Sequence, residues 1–138
     1  MLFRSWTGPK KNRQPHLIHL LDGRPFALAG LWNDWADPAG GEVLATGTII
    51  TCAVNEFMRP YHDRMPVVVD AAAVERWLDP SVPAQELVPL LAPYPSEQMA
   101  AYPTVKQAND YDGPALLERA PGLAPPSDGG AGATLWAE

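Results

Sequence analysis

The sequence predicts an α+β domain built on a mainly antiparallel sheet, and three observations carry that reading. β-rich runs crowd residues 17 to 70, short helix signals follow them, and no regular strand–helix–strand alternation links the two. Turn dipeptides also punctuate the strands, as antiparallel neighbours require.

The elements follow in order. Leu17–Leu21 and Phe26–Leu31 are apolar runs flanking Asp22-Gly23, a dipeptide suited to positive φ, and are expected to pair as a hairpin. Pro15 and Pro25 stand at the strand starts, where a missing N–H is tolerated. NDWADPAGGE, residues 33–42, has turn composition and reads as an exposed loop. VLATGTIITCAV, residues 43–54, is β-branched and apolar, a strand through the sheet core. MPVVVD, residues 65–70, is too short for a helix and reads as a further buried strand. Asp70 then caps AAAVERWL, in which Val74, Trp77 and Leu78 share one face. SVPAQELVPLL, residues 81–91, opens on a serine cap and is shortened by Pro89. SEQMAAY, residues 96–102, is a third short helix with Ser96 as its cap, and ALLE, residues 115–118, reads as a last extended segment. Residues 121–138 are rich in Ala, Gly and Pro and read as a largely disordered tail, which leaves residues 1–120 as the domain.

Composition narrows the function classes. A chain of 138 residues with 46% apolar content suits one domain with a real core. Its net charge of −6 gives the whole molecule no attraction for polyanions. A local basic patch exists all the same: RSWTGPKKNR carries Arg4, Lys10, Lys11 and Arg13 beside Trp6, either a nucleic-acid contact or a solvated turn. The single cysteine excludes an internal disulfide framework and fits a reducing compartment. No apolar run approaches the roughly 20 residues of a membrane span, and MLFRSW lacks a signal peptide's apolar core. A cytoplasmic protein without membrane contact is expected.

Chemistry-bearing residues are few. Three histidines and one cysteine do not make a metal site, and His16 and His19 fall on opposite faces of a strand. No metal and no cofactor are expected. Cys52 lies inside an apolar strand and reads as an inert core thiol. In GLWNDW the tryptophans either stack on a base or brace the next loop against the sheet. No serine-triad elbow, phosphate-binding glycine loop or paired-carboxylate motif occurs. His62, in RPYHDRMPVVVD, is the best catalytic candidate. Histidine transfers protons near neutral pH, and Asp63 or Arg64 would orient it. The alternative is a hydrogen-bonded core histidine.

FRSWTGPKKNRQPHLIHLLDGRPFALAGLWNDW, TIITCAVNEFMRPYHDRMPVVVD and NDYDGPALLE together resemble the SOS response-associated peptidase family of abasic-site processing proteins, from Phe3 to about Glu118. The resemblance implies a curved, partly barrel-like sheet with short flanking helices. It implies binding of single-stranded DNA at an abasic site and a covalent cross-link there. In the family that link passes through a Schiff base to a thiazolidine, made by the amine and thiol of the cysteine after the initiator methionine. A histidine in a His-x-Arg-Met-Pro motif moves the protons, which corresponds to His62. Arg64, Met65 and Pro66 complete the motif, with Thr51 and Asn55 upstream supporting it.

This sequence departs from the pattern in three places. Residue 2 is Leu2, Ser5 stands at the position of the family glutamate, and the Asn-Ala-Arg-x-Glu-Thr segment has no counterpart. The resemblance therefore implies a domain incomplete at its N-terminus, with a separately encoded N-terminal half as a partner beside single-stranded DNA. Two readings stand: an abasic-site processing enzyme with impaired cross-linking, or a non-catalytic remnant that serves as a single-stranded DNA-binding or interaction module.

Overall fold

The computed structural model describes residues 3–9, 11–105 and 113–122. Its strands are β1 (Phe3–Thr7), β2 (Gln14–Leu20), β3 (Ala27–Leu28), β4 (Gly30–Ala36), β5 (Val43–Ile49), β6 (Thr51–Ala53), β7 (Arg64–Pro66), β8 (Val68–Val69) and β9 (Met99–Pro103). Two short helices, α1 (Val74–Leu78) and α2 (Ala84–Leu87), lie between β8 and β9. Every strand pair is antiparallel, so the α+β reading holds. The pairs form a three-stranded sheet, β1-β2-β9, and three ribbons, β3-β8, β4-β5 and β6-β7. They do not close into a barrel among the described residues.

The expected hairpin across Asp22-Gly23 does not form. The turn itself does: Gly23 takes φ +69 and donates its N–H to the Leu20 carbonyl at 3.0 Å. Both edges of β2 are already occupied, by β1 and β9, so the returning chain pairs with β8 instead. A turn dipeptide dictates reversal, not partner.

The long apolar strands are each divided at one residue. Residues 43–54 split at Ile50 into β5 and β6, residues 64–69 split at Val67 into β7 and β8, and Ala29 separates β3 from β4. These three break residues bond in a ring. Ala29 N–H donates to the Val67 carbonyl, Val67 N–H to Ile50 and Ile50 N–H to Ala29, each at 2.9 Å. Each strand thereby changes partner at one point, and no backbone group at the junction is orphaned. Ala29 and Val67 have no exposed surface there.

Other elements differ from the sequence reading. Asn33–Ala36 belong to β4, not to a loop, because they pair with Val43–Thr46. Ser96–Gln98 form a single 3₁₀ turn, after which Met99–Pro103 run as β9, drawn into the sheet by the burial of Met99 and Ala100. Pro114–Leu117 form a 3₁₀ turn in place of an extended segment. Asp70 does cap the following turn, accepting from Ala72 N–H, but that turn is 3₁₀ and α1 starts only at Val74. Ser81 does not cap α2; its hydroxyl bonds to Asp79. The expected tail beyond residue 122 lies outside the described residues.

One cluster joins the sheets. Ile18 of β2, Ala29 and Val67 of the junction, Met58, Met65 of β7 and Met99 of β9 meet with at most 1% of their surface exposed. Three methionines in this contact allow an irregular space between short sheets to be filled.

Candidate functional site

The segment from Asn55 to His62 sets the site. It is a compact turn in which Tyr61 and His62 both donate N–H groups to the Met58 carbonyl, at 2.9 and 3.0 Å. Asn55 organises it: its Oδ1 accepts from Met58 N–H at 2.9 Å, and its Nδ2 donates to the Tyr94 carbonyl at 2.6 Å. Phe57, Met58 and Tyr61 are buried, so the turn is nailed to the core and His62 emerges at its end.

His62 is 60% exposed, which sets aside the buried-core alternative for this histidine. Both contacts of its ring fall on Nδ1. That atom lies 2.7 Å from Asp63 Oδ1 and 3.1 Å from Arg64 N–H. The two partners need opposite roles. A protonated Nδ1 donates to Asp63 and leaves Nε2 bare, whereas an unprotonated Nδ1 accepts from Arg64 and puts the proton on Nε2. Arg64 turns its guanidinium away from the histidine and grips Thr51, donating from Nε to the hydroxyl at 2.9 Å and from an Nη to the carbonyl at 2.8 Å.

A cleft of about 360 Å³ opens beside these groups, lined by Phe3, Ser5, Thr51, His62, Arg64 and Pro66 among others. β1 and the β6-β7 ribbon therefore bring Ser5 and His62 to one opening. Ser5 is not presented to it freely. Its side chain is buried and its hydroxyl donates to the Tyr61 carbonyl at 3.1 Å, tying β1 to the His62 turn. Burial pushes the neighbouring Tyr61 phenol up to about 12, so it stays protonated. Met65 points into the core, and Asn55 acts through the turn, not in the cleft.

The basic patch is partly separate. Strand alternation places Arg4 and Trp6 on the face of β1 opposite Ser5, although Arg4 also borders the cleft. Lys11 and Arg13 are exposed in the turn from β1 to β2, and Lys10 lies outside the described residues. His16 is buried against the Tyr61 ring at 5.1 Å between centroids, and burial holds its imidazole below the usual range. Cys52 is buried in β6, and burial pushes its thiol up. Among the described residues no group of three His, Cys, Asp or Glu side chains converges. Sequence reasoning missed the Tyr61 carbonyl as Ser5's partner. The signal available was the spacing of Phe57, Met58 and Tyr61, which fits a buried turn.

An α+β chain of short antiparallel ribbons with an exposed histidine at the rim of a cleft is the class that fold and site define. The family model described as SOS response associated peptidase (SRAP) matches residues 3–111, and the chain belongs to that family. It is similar to abasic site processing protein YoqW of Bacillus subtilis (strain 168), with 38% identity over 111 residues, 78% of this chain and 49% of that protein. It is also similar to abasic site processing protein HMCES of Gallus gallus, with 40% identity over 82 residues, 58% of this chain and 24% of that protein. A crystal structure of a protein from Bacteroides thetaiotaomicron superposes with a TM-score of 0.75 at 29% identity, covering 86% of this chain and 53% of that one. The chain spans about half the length of YoqW.

Proposed function

We propose that the chain engages abasic sites in single-stranded DNA at the cleft beside His62, with His62 as the proton carrier and without a lasting cross-link. The observation that carries this reading is the convergence of Ser5, Thr51, His62 and Arg64 on one opening, in a chain of the abasic-site processing family.

Schiff-base chemistry needs both a base and an acid. An amine attacks the aldehyde carbon, the nitrogen loses a proton, and the carbinolamine oxygen gains one and leaves as water. His62 suits both halves. With Nδ1–H on Asp63 its bare Nε2 accepts the proton; with Nδ1 accepting from Arg64 its Nε2–H donates one. Subsequent β-elimination removes a C2′ proton and expels the 3′ phosphate, again a task for the bare form.

Permanence needs more. A thiazolidine requires an amine and a thiol on one residue, and the only thiol in these 138 residues is Cys52, buried in β6. A Schiff base from an amine with no adjacent thiol hydrolyses unless trapped. Arg4, Lys11 and Arg13 with Trp6 supply a short cationic path for the strand, so affinity is weak and falls steeply with salt.

The test is incubation of the purified chain with an abasic single-stranded oligonucleotide, followed by denaturing electrophoresis. A shifted band is expected only with borohydride present, and His62→Ala should lower strand cleavage about 10²-fold. A heat-stable adduct without borohydride, or cleavage indifferent to His62→Ala, would overturn the reading.

A further inference from the structure

β5 presents an open backbone edge. Among the described residues its only strand partner is β4, and no other backbone hydrogen bond reaches Val43–Ile49. Every residue from Leu31 to Ile49 is exposed, so no described residue covers that edge by packing either. Edge strands are normally guarded by a charge, a proline or a bulge. VLATGTI, the whole of β5, has no charged residue and no proline, whereas β4 carries Asp34. Register puts Trp32, Val43 and Ile49 on one face of the ribbon and Leu31, Trp35 and Leu44 on the other, so both faces are apolar. A two-stranded ribbon of this kind is marginal alone, and further strands stabilise it.

Charge selects the occupant. Asp37 and Glu42 stand in the turn at the ribbon's tip, and residues 30–49 hold no Lys, Arg or His. At the opposite end Ile49 borders the cleft lined by Arg4, His62 and Arg64, with no carboxylate in that lining. Asp63 beside it is paired with His62. Each ribbon thus has an acidic tip and a cationic base. A second copy running antiparallel along β5 satisfies both ends at once. With a two-fold axis at Thr46, Val43 faces Ile49 of the second copy and Leu44 faces Thr48, which keeps each apolar face continuous across the join. Glu42 then falls opposite Ile50, one residue from the Thr51 that Arg64 grips. The two acidic tips stay more than about 20 Å apart, beyond the screening length of about 8 Å.

We infer that β5 pairs edge to edge with β5 of a second copy, making a four-stranded antiparallel sheet whose outer strands are each guarded by Asp34. The pairing needs no abasic-site chemistry, so it stands or falls independently of that reading.

The test is sedimentation velocity of the purified chain over about a hundredfold range of concentration. A monomer–dimer equilibrium is expected, and β5 amides, open to exchange in dilute solution, should gain protection as the dimer fills while β2 amides do not. Thr46→Lys sets two ammonium groups opposite each other at the axis and should weaken the dimer about tenfold. Thr46→Glu should do the same, and an equimolar mixture of the two variants should restore dimerisation to the parent level. That recovery separates a lost contact from a misfolded chain. A chain monomeric at every concentration, a dimer indifferent to Thr46→Lys, β5 protection that ignores concentration, or no recovery in the mixture would overturn the inference.

Discussion

Asn55 lies in the matched sequence yet contacts nothing in the cleft. Its amide bridges the His62 turn to the segment before β9, through Met58 N–H and the Tyr94 carbonyl. Asn55→Ala leaves two half-buried backbone groups without partners, a cost of about 2 kcal/mol. For a domain of this size that is a fall of about 10 °C in Tm. A calorimetric Tm within about 2 °C of the parent would refute the bridging role. Ser5 shows the limit of residue-level reading. That it lines one cleft with His62 was expected from the resemblance, but its hydrogen bond to the Tyr61 carbonyl was not. Nothing in the sequence of β1 announces a partner 56 residues away. The exposure of His62 accords with its place directly before the charged Asp63 and Arg64 ahead of a valine run.

Among the elements, β2 and the β4-β5 ribbon are opposites. β2 is the central strand of its sheet and buries five of its seven residues, whereas the ribbon is exposed along its length. Amide exchange should therefore be slowest at Leu17, Ile18 and Leu20, and at least 10²-fold faster in β5, as expected where local opening exposes little apolar surface. Equal protection in the two would contradict the exposed ribbon. The strands were readable as strands from β-branched and apolar runs. Their lengths and partners were not, because pairing is decided by which edges remain open. SEQMAAY failed for that reason: its helical spacing is real, but Met99 and Ala100 gain burial only as part of β9 against β2.

For the molecule as a whole, pH enters through His16, which sits between β1 and β9 at the centre of the three-stranded sheet. Burial lowers its folded pKa below the unfolded value of about 6.5. Between the two values the unfolded chain holds a proton that the native state refuses, so stability falls as pH drops. The contribution is intact above about 6.5 and is lost progressively toward the lower folded value. His16→Gln should be less stable at pH 7.5 yet show a flatter decline in Tm from pH 7.5 to 5.5. Parallel Tm curves for the two proteins would show that His16 does not set the slope. Only the class of the fold could be read at this scale. The joining of three of the four small sheets through one buried methionine-rich contact depends on residues far apart in the chain.

The ring of hydrogen bonds between Ala29, Ile50 and Val67 bears on how this chain can change length. Inserting one residue into any of the three strands there puts the two sides of the break out of register with each other and turns every later side chain of that strand to the opposite face. Gly30 leaves no slack, since a Cβ on it would stand 3.1 Å from the Thr48 carbonyl oxygen. The turn at residues 37–42 lies at the far end of the ribbon, and lengthening it disturbs none of those bonds. Insertions and deletions among diverging sequences should therefore collect at that turn and be absent within a residue or two of positions 29, 50 and 67. The junction acts as a fixed origin from which the loops alone are free to grow.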